Sequence, residues 1–251
     1  MNCFENLNRI EFVITYACTG NCIHCSEGKH KSEGECINSK KAVEMINTVV
    51  QKYKIKSLMT FGGEPLLYPQ AVCDIHSTAK DAGISKRQLI TNGFFSQEDN
   101  RIKQVANDLV ESGVNDILVS VDAFHQETIP LQPVMIFVKE IHRLGVRVRM
   151  QPAWLVDKDD DNPYNIKTKR ILKKFKDEGI EENEGNNILP AGNARKYLSE
   201  YFDLGKEYKS PYAVDPYDID TISVNPDGRV LNGNIYEQDI LTIMDKYQEA
   251  L

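Results

Sequence analysis

The chain alternates between two rhythms. Short apolar runs recur at residues 10–16 (IEFVITY), 55–61 (IKSLMTF), 86–91 (KRQLIT), 115–121 (NDILVSV), 146–151 (VRVRMQ) and 186–190 (NNILP). Stretches of helical length separate them, with apolar residues returning every three to four positions. After Asn38 and Ser39, two candidate caps, Val43, Met45, Ile46, Val49, Val50 and Tyr53 fall at that spacing. Residues 69–82, 97–112, 133–144 and 164–178 read the same way, and Gly83, Gly113, Gly145 and Gly179 follow them as stop signals. Six strand–helix repeats without a break in composition predict an α/β fold, a partial (β/α)6 TIM-like barrel of about six parallel strands. Residues 1–202 are expected to form this core domain. From 203 onward the chain turns to a Tyr/Pro-rich loop, a short strand near 221–224, the turn Asn225-Pro226-Asp227-Gly228 and a last helix near 237–248. This 203–251 segment is expected to pack on the core as a short C-terminal α+β extension.

Alternation within the strands says what the barrel holds. Helices cover the outer face of such a strand, so its apolar set points outward and its polar set inward. In VRVRMQ the outer set is Val146, Val148 and Met150, leaving Arg147, Arg149 and Gln151 inside. In ILVSVD the outer set is Ile117, Val119 and Val121, leaving Leu118, Ser120 and Asp122 inside. Glu11, Thr15 and Thr60 are expected to line the same lumen. A barrel packed for stability alone fills its interior with branched aliphatics. This polar interior predicts a polar, charged ligand.

Composition removes several function classes. The 251 residues are 41% hydrophobic and 27% charged, an ordinary balance for a globular protein. A formal net charge of −7 argues against nucleic acid or an anionic membrane as the main partner. No run approaches the ~20 apolar residues of a membrane span, and the N-terminus lacks the order of a signal peptide. The expected location is cytoplasmic, where the six cysteines (3, 18, 22, 25, 36 and 73) read as thiols or metal ligands and not as disulfides.

Three of those cysteines crowd into YACTGNCIHCSEG, residues 16–28, directly after the first strand. Cys18, Cys22 and Cys25 can hold three irons of a [4Fe–4S] cube and leave the fourth open to chemistry. The same thiols with His24 or His30 would instead make a Cys3His zinc site. Cys36 and Cys73 read as small buried hydrophobes, and Cys3 lies near a terminus expected to be mobile. The run Asp157, Asp159, Asp160, Asp161 reads as a solvated loop. KTKRILKKFK (167–176) reads as the wet face of an amphipathic helix, with an acidic substrate or an acidic reductant as its possible partner.

Further elements sit at strand ends: FGGEP (61–65) after the second, TNG (91–93) after the third and SVDAF (120–124) after the fourth. With C-x3-C-x2-C after the first strand, the set resembles the radical S-adenosylmethionine superfamily over roughly residues 10–195. The resemblance implies that Cys18, Cys22 and Cys25 ligate a [4Fe–4S] cluster whose open iron is chelated by the amino and carboxylate groups of S-adenosylmethionine. It implies that His24 packs near the adenine and that Gly62, Gly63 and Glu64 hold the methionyl ammonium. Asn92 and Ser120 match positions that contact ribose or carboxylate. Arg149, pointing inward, suits the cofactor carboxylate, and Gln151 on the same face joins the cofactor-binding set. An electron delivered to the cluster by a donor such as flavodoxin or ferredoxin would cleave the cofactor, and the resulting 5′-deoxyadenosyl radical would take a hydrogen atom from a peptide or small-molecule substrate. Asp122 and His125 are the candidate substrate-facing catalytic residues.

Two departures qualify the resemblance. Where many relatives carry a PxGRA-like segment, residues 190–194 read Pro-Ala-Gly-Asn-Ala, with Asn193 in place of arginine. The tail SVNPDGRVLNGNIYEQDILTIM is similar to that of peptide-modifying relatives, yet no cysteine follows residue 73, so this sequence cannot build an auxiliary cluster. A glycyl-radical-enzyme activase is the alternative enzyme, although Asp122-Ala123-Phe124 lacks the lysine typical of one activase type. A non-enzymatic iron–sulfur or zinc module is the alternative from another class.

Overall fold

The computed structural model describes residues 2–203, 205–208 and 214–251. In chain order the elements are β1 (Arg9–Val13), α1 (Ser39–Lys52), β2 (Ser57–Phe61), α2 (Pro69–Asp81), β3 (Lys86–Thr91), α3 (Asp99–Glu111), β4 (Asp116–Ser120), α4 (Leu131–Arg143) and β5 (Arg147–Gln151). There follow β6 (Ala153–Trp154), α5 (Pro163–Lys176), β7 (Glu181–Glu182), β8 (Asn186–Asn187), α6 (Gly192–Tyr197), β9 (Thr221–Val224), β10 (Arg229–Val230), β11 (Gly233–Asn234) and α7 (Ile240–Glu249). Seven strands form one sheet in the order β7-β5-β4-β3-β2-β1-β9. Every pairing in it is parallel. This is the expected α/β architecture, an open sheet with helical crossovers.

Local chemistry sets the helix ends. Asn38 caps α1, its side chain accepting from the Lys41 N–H, and Asn162 caps α5 through the Asn165 N–H. Gly83, Gly113, Gly145 and Gly179 all take positive φ just past their helices, between 76° and 91°, the left-handed stop that only glycine adopts cheaply. The outward strand residues Ile10, Phe12, Leu58, Leu89, Ile117 and Val119 are fully buried beneath the helices. Each such side chain contributes roughly 1.5–3 kcal/mol relative to exposure.

The sixth strand differs from expectation. β7, which completes the sheet beside β5, is Glu181–Glu182, while the more apolar 186–190 run supplies only β8, paired with β6 apart from the main sheet. Ile188 of that run instead joins a small second core with Phe124, Leu155, Ala194 and Leu198. Thr60 also departs from expectation. It lies on the outer face of β2, where its hydroxyl meets His76 Nε2 of α2 at 2.9 Å, and it does not line the lumen.

Cys3 is not at a loose end either. It is buried, and its carbonyl accepts from Ile219 N–H at 2.7 Å. The tail reaches the core through β9, which pairs with β1 from Arg9↔Thr221 to Phe12↔Val224. A sheet neighbour thus ties the N-terminal residues down. Cys36 and Cys73 pack against the main core, as small hydrophobes do. Among the described residues no helix is long and apolar enough to cross a membrane.

The inward polar residues bond mainly to one another. Arg9 reaches Glu11 (2.6 Å) and Gln88 (3.0 Å), and Gln88 donates to Asp116 at 2.7 Å. Asp116 also receives Arg149 Nη2 at 2.6 and 2.9 Å. Arg149 Nη1 donates to Asn183, whose amide donates in turn to Gln151. A continuous polar floor therefore crosses the inner face from β1 to β7. Much of the polarity read from alternation is consumed here.

Candidate active site

The cysteine loop hangs from the end of β1 and is pressed against the end of β2. Gly63 N–H donates to Thr15 O, and Glu64 N–H to Ala17 O, both at 2.8 Å. These bonds carry the β1–β2 pairing past the strands up to Cys18. Two glycines make that approach possible: a Cβ on Gly62 would lie 2.5 Å from Thr15 O, and one on Gly63 would lie 2.1 Å from Ala17 O. The motif FGGEP thus acts first on the cysteine loop itself.

Glu64 lies behind this turn, fully buried. Its carboxylate accepts from the Thr91 hydroxyl (2.7 Å), the Leu66 N–H (2.8 Å) and the Asn92 N–H (2.8 Å). Burial pushes its pKa up to about 7, against the pull of those three donors. Asn92, delivered by the end of β3, turns its side-chain amide to Thr19 Oγ1 at 3.1 Å and towards Cys18 Sγ at 3.6 Å. Its own carbonyl oxygen accepts from Phe94 N–H at 2.8 Å. Ser120 ends β4 on the inner face, in register with Gln151.

On the far side the loop is held by the segment that departs from PxGRA. Asn193 N–H donates to Cys25 O at 2.9 Å, and its side-chain amide donates to Cys22 O (3.0 Å) and Gly28 O (3.2 Å). The preceding Gly192 is crowded so closely that a Cβ would lie 2.2 Å from Ser26 O. Sequence inspection flagged Asn193 only as a missing arginine. Its role as a brace was not legible, because its partners lie about 170 positions earlier in the chain.

The thiols differ in environment. Burial pushes Cys18 up to about 11, and raises Cys22 further still. Metal binding must displace those protons. Cys25 Sγ lies 3.1 Å from His30 Nε2, while His30 Nδ1 meets Tyr16 O at 2.8 Å. Among the described residues, Cys18, Cys22 and Cys25 do not form a set whose three sulfurs all lie within 4.8 Å of one another, and His30 approaches Cys25 alone. Ligand sulfurs on one zinc sit about 3.8 Å apart, from Zn–S bonds of about 2.3 Å in a tetrahedron. The described loop does not show that close set, and three thiols on one loop suit the donor set of a larger iron–sulfur cube.

The second half of the site comes from β4 and its loop. Asp122 is fully buried. Its Oδ1 accepts from the Phe124 and His125 N–H groups, both at 2.9 Å. Its Oδ2 accepts from Ala153 N–H at 3.0 Å and faces His125 Nδ1 at 2.7 Å. Burial alone would raise this carboxyl, but His125, with a smaller contribution from His24, outweighs it and holds Asp122 well below the usual carboxylate range. His24, between Cys22 and Cys25 in the chain, packs on the loop after β4. Its ring lies 4.9 Å from that of Phe124 and 4.7 Å from that of His125, and burial lowers its pKa to about 4. Phe124 in turn stacks on Tyr164 at 4.6 Å. In the sequence Phe124 stands out only as the last residue of SVDAF, and Tyr164 not at all. Arg149 and Gln151 belong to the floor beneath.

The sequence matches the Radical SAM superfamily over residues 12–204. The chain belongs to that superfamily. S-adenosylmethionine and a [4Fe–4S] cluster are the cofactors of radical SAM proteins, and the loop geometry above suits the second of them. The chain is 28% identical over 123 residues to a probable GTP 3′,8-cyclase of Methanocaldococcus jannaschii, covering 49% of this chain and 39% of that protein. It is 24% identical over 198 residues to the pre-heme d1 synthase of Dinoroseobacter shibae, covering 76% and 46%. The chain thus spans less than half the length of these relatives. Among solved structures, native anSMEcpe with bound AdoMet superposes with a TM-score of 0.61 at 15% identity, covering 97% of this chain and 82% of that one. Streptococcus suis SuiB bound to S-adenosylmethionine gives 0.58 at 11% identity, covering 95% and 65%. These likenesses establish the radical SAM fold.

Proposed function

We propose that this protein is a radical SAM enzyme in which Cys18, Cys22 and Cys25 ligate a [4Fe–4S] cluster, and which abstracts a hydrogen atom from a peptide or a small molecule. The observation that carries the reading is the cysteine loop itself, with three thiols on eight positions clamped between the Gly62–Gly63–Glu64 turn and Asn193. When bound, the cluster supplies the electron that cleaves S-adenosylmethionine.

The chain's own residues divide the remaining work. The backbone of Gly62 to Glu64 offers the methionyl ammonium a cradle, and Glu64 acts from behind it by tying that turn to Thr91 and Asn92. Asn92 and Ser120, on adjacent strand ends, supply polar contacts for the cofactor's ribose or carboxylate, with His24 flanking the adenine. Arg149 and Gln151 act from the floor, holding the inner face in register. Asp122 fixes the orientation of His125 and the path of residues 122–125, so Asp122 is a positioning residue and His125 Nε2 is the group available to a substrate.

Both relatives with the printed names GTP 3′,8-cyclase and pre-heme d1 synthase favour a small-molecule substrate, while the likeness of the tail to peptide-modifying members favours a peptide. The test is anaerobic reconstitution followed by dithionite and S-adenosylmethionine, with 5′-deoxyadenosine and methionine quantified. A protein holding about four irons that forms neither product overturns the proposal.

A further inference from the structure

α5 presents a cationic face on a protein whose formal net charge is −7. Asn165, Thr168, Ile171, Leu172 and Phe175 bury one side of this helix. The opposite side exposes Lys167, Arg170, Lys173 and Lys174, with Ile166 among them. Positions 167, 170 and 174 are one and two turns apart, so they line a single stripe. The remaining helix cations are already occupied: Lys169 faces Asp161 at 3.7 Å and Lys176 faces Glu182 at 2.5 Å. Among the described residues no carboxylate lies within 4 Å of Lys167, Arg170, Lys173 or Lys174. An unneutralised stripe with one exposed isoleucine is a surface suited to an acidic protein.

The helix is also joined to the cysteine loop. Thr168 Oγ1 accepts from Ala123 N–H at 2.9 Å, which fixes α5 against the loop after β4. From Tyr164, in the first turn of α5, aromatic rings run inward without a gap. Tyr164 stacks on Phe124 at 4.6 Å, and Phe124 meets His24 at 4.9 Å. His24 lies between Cys22 and Cys25 in the chain. A partner on this face would therefore sit at the end of the site's packed aromatic wall, outside the lumen that a substrate must enter.

We infer that the α5 stripe of Lys167, Arg170, Lys173 and Lys174 is the docking surface for an acidic one-electron donor protein of the flavodoxin or ferredoxin kind. The inference rests on the proposed radical SAM activity, since only a redox centre behind Tyr164, Phe124 and His24 gives such a donor a reason to dock there. With a flavodoxin, the anionic flavin hydroquinone would give up one electron and become the neutral semiquinone with no proton released, whereas a ferredoxin would give up one electron from its own reduced cluster. In either case the electron would reduce a cluster held by Cys18, Cys22 and Cys25 by one. Charge provides the encounter and its orientation, and the apolar Ile166 provides close contact once water is expelled.

The test uses the full chain and two probes tried separately, a bacterial flavodoxin and a bacterial ferredoxin. Affinity is measured calorimetrically on the cluster-free protein, and reduction of the reconstituted protein is followed by absorbance. The combined variant Lys167→Glu, Arg170→Glu, Lys174→Glu is compared with Lys103→Glu on α3. One probe or the other should bind the unmodified protein, and binding should weaken about tenfold in the triple variant and with salt raised from about 0.05 to 0.3 M. Lys103→Glu should bind normally. Dithionite, which needs no docking surface, should reduce unmodified and triple-variant protein equally. Binding by neither probe, or equal binding to unmodified protein and triple variant, overturns the inference. An unmodified protein that takes up no cluster, or whose cluster dithionite reduces without cleavage of S-adenosylmethionine, overturns instead the activity on which the inference rests.

Discussion

The side-chain amide of Asn193 donates to the main-chain carbonyl of Cys22, and the same residue's backbone N–H donates to that of Cys25. One residue near the end of the core thus braces the loop that carries all three candidate ligands. Replacing Asn193 by Ala removes two side-chain bonds, including one to Gly28 O, at a cost of about 1–2 kcal/mol. The expected result in the cluster-free protein is faster labelling of Cys22 and Cys25 by a thiol reagent, with Cys36 and Cys73 unchanged. Unchanged labelling would remove Asn193 from the account.

Cysteine replacement separates ligands from core residues. Cys18→Ala, Cys22→Ala and Cys25→Ala should each abolish the broad absorption near ~400 nm and the inorganic sulfide of the reconstituted protein. Cys36→Ala and Cys73→Ala should keep both and lose only packing. Stoichiometric zinc without sulfide in the unmodified protein would falsify the cluster assignment.

Gly63 is predicted to tolerate no side chain. A Cβ there meets Ala17 O at 2.1 Å, and the obstacle is backbone, which cannot swing aside. Gly63→Ala should cost several kcal/mol or prevent folding. Gly83→Ala, at a positive φ but with nothing within 4 Å of the added carbon, should cost only about 1 kcal/mol. Comparable melting temperatures for the two variants would contradict the close approach of the β1 and β2 ends.

Glu64 makes stability pH-dependent. Its folded pKa is raised to about 7, above the unfolded value, so the native state binds the extra proton. The contribution is fully present below the unfolded pKa near 4.3 and is lost as pH rises through about 7. Glu64→Gln should therefore gain stability relative to the unmodified protein as pH is taken from about 4.5 to 7.5, as read from denaturant midpoints of the cluster-free protein. A difference that stays flat across that window would show that the three donors to Glu64 outweigh its burial.

Arg149 and Asp116 form the buried ion pair of the floor, with side chains 13% and 7% exposed. Arg149→Ala leaves the Asp116 carboxylate with only Gln88 and, at 3.9 Å, the half-exposed Lys86, and is expected to cost about 1.5–3 kcal/mol. Asp116→Asn in the Arg149→Ala background should recover part of that loss. If Arg149→Ala instead leaves thermal stability intact and weakens S-adenosylmethionine binding alone, the arginine belongs to the cofactor and not to the floor.

Periodicity was enough for the architecture. Alternation with short apolar runs sufficed for β1 to β5, and the four glycine stops after α2, α3, α4 and α5 were legible because backbone chirality leaves few residues able to end a helix that way. The spacing of Cys18, Cys22 and Cys25 likewise pointed to iron–sulfur chemistry without coordinates, since ligand spacing on one loop is a local property. Direction along the strands was partly legible too: Arg149 and Asp122 do point inward. What they touch was not. Whether an inward arginine meets a cofactor or an aspartate on the next strand depends on register between strands dozens of residues apart, and tertiary packing assigned Arg149 to Asp116. The same holds for Thr60, turned outward to His76, for β7, where two glutamates extend the sheet in place of the apolar run after them, and for Asn193, whose partners are the carbonyls of a loop near the other end of the chain. Hydrophobic pattern is written residue by residue, whereas the pairing of polar groups is decided only when distant segments are brought within about 3 Å of one another.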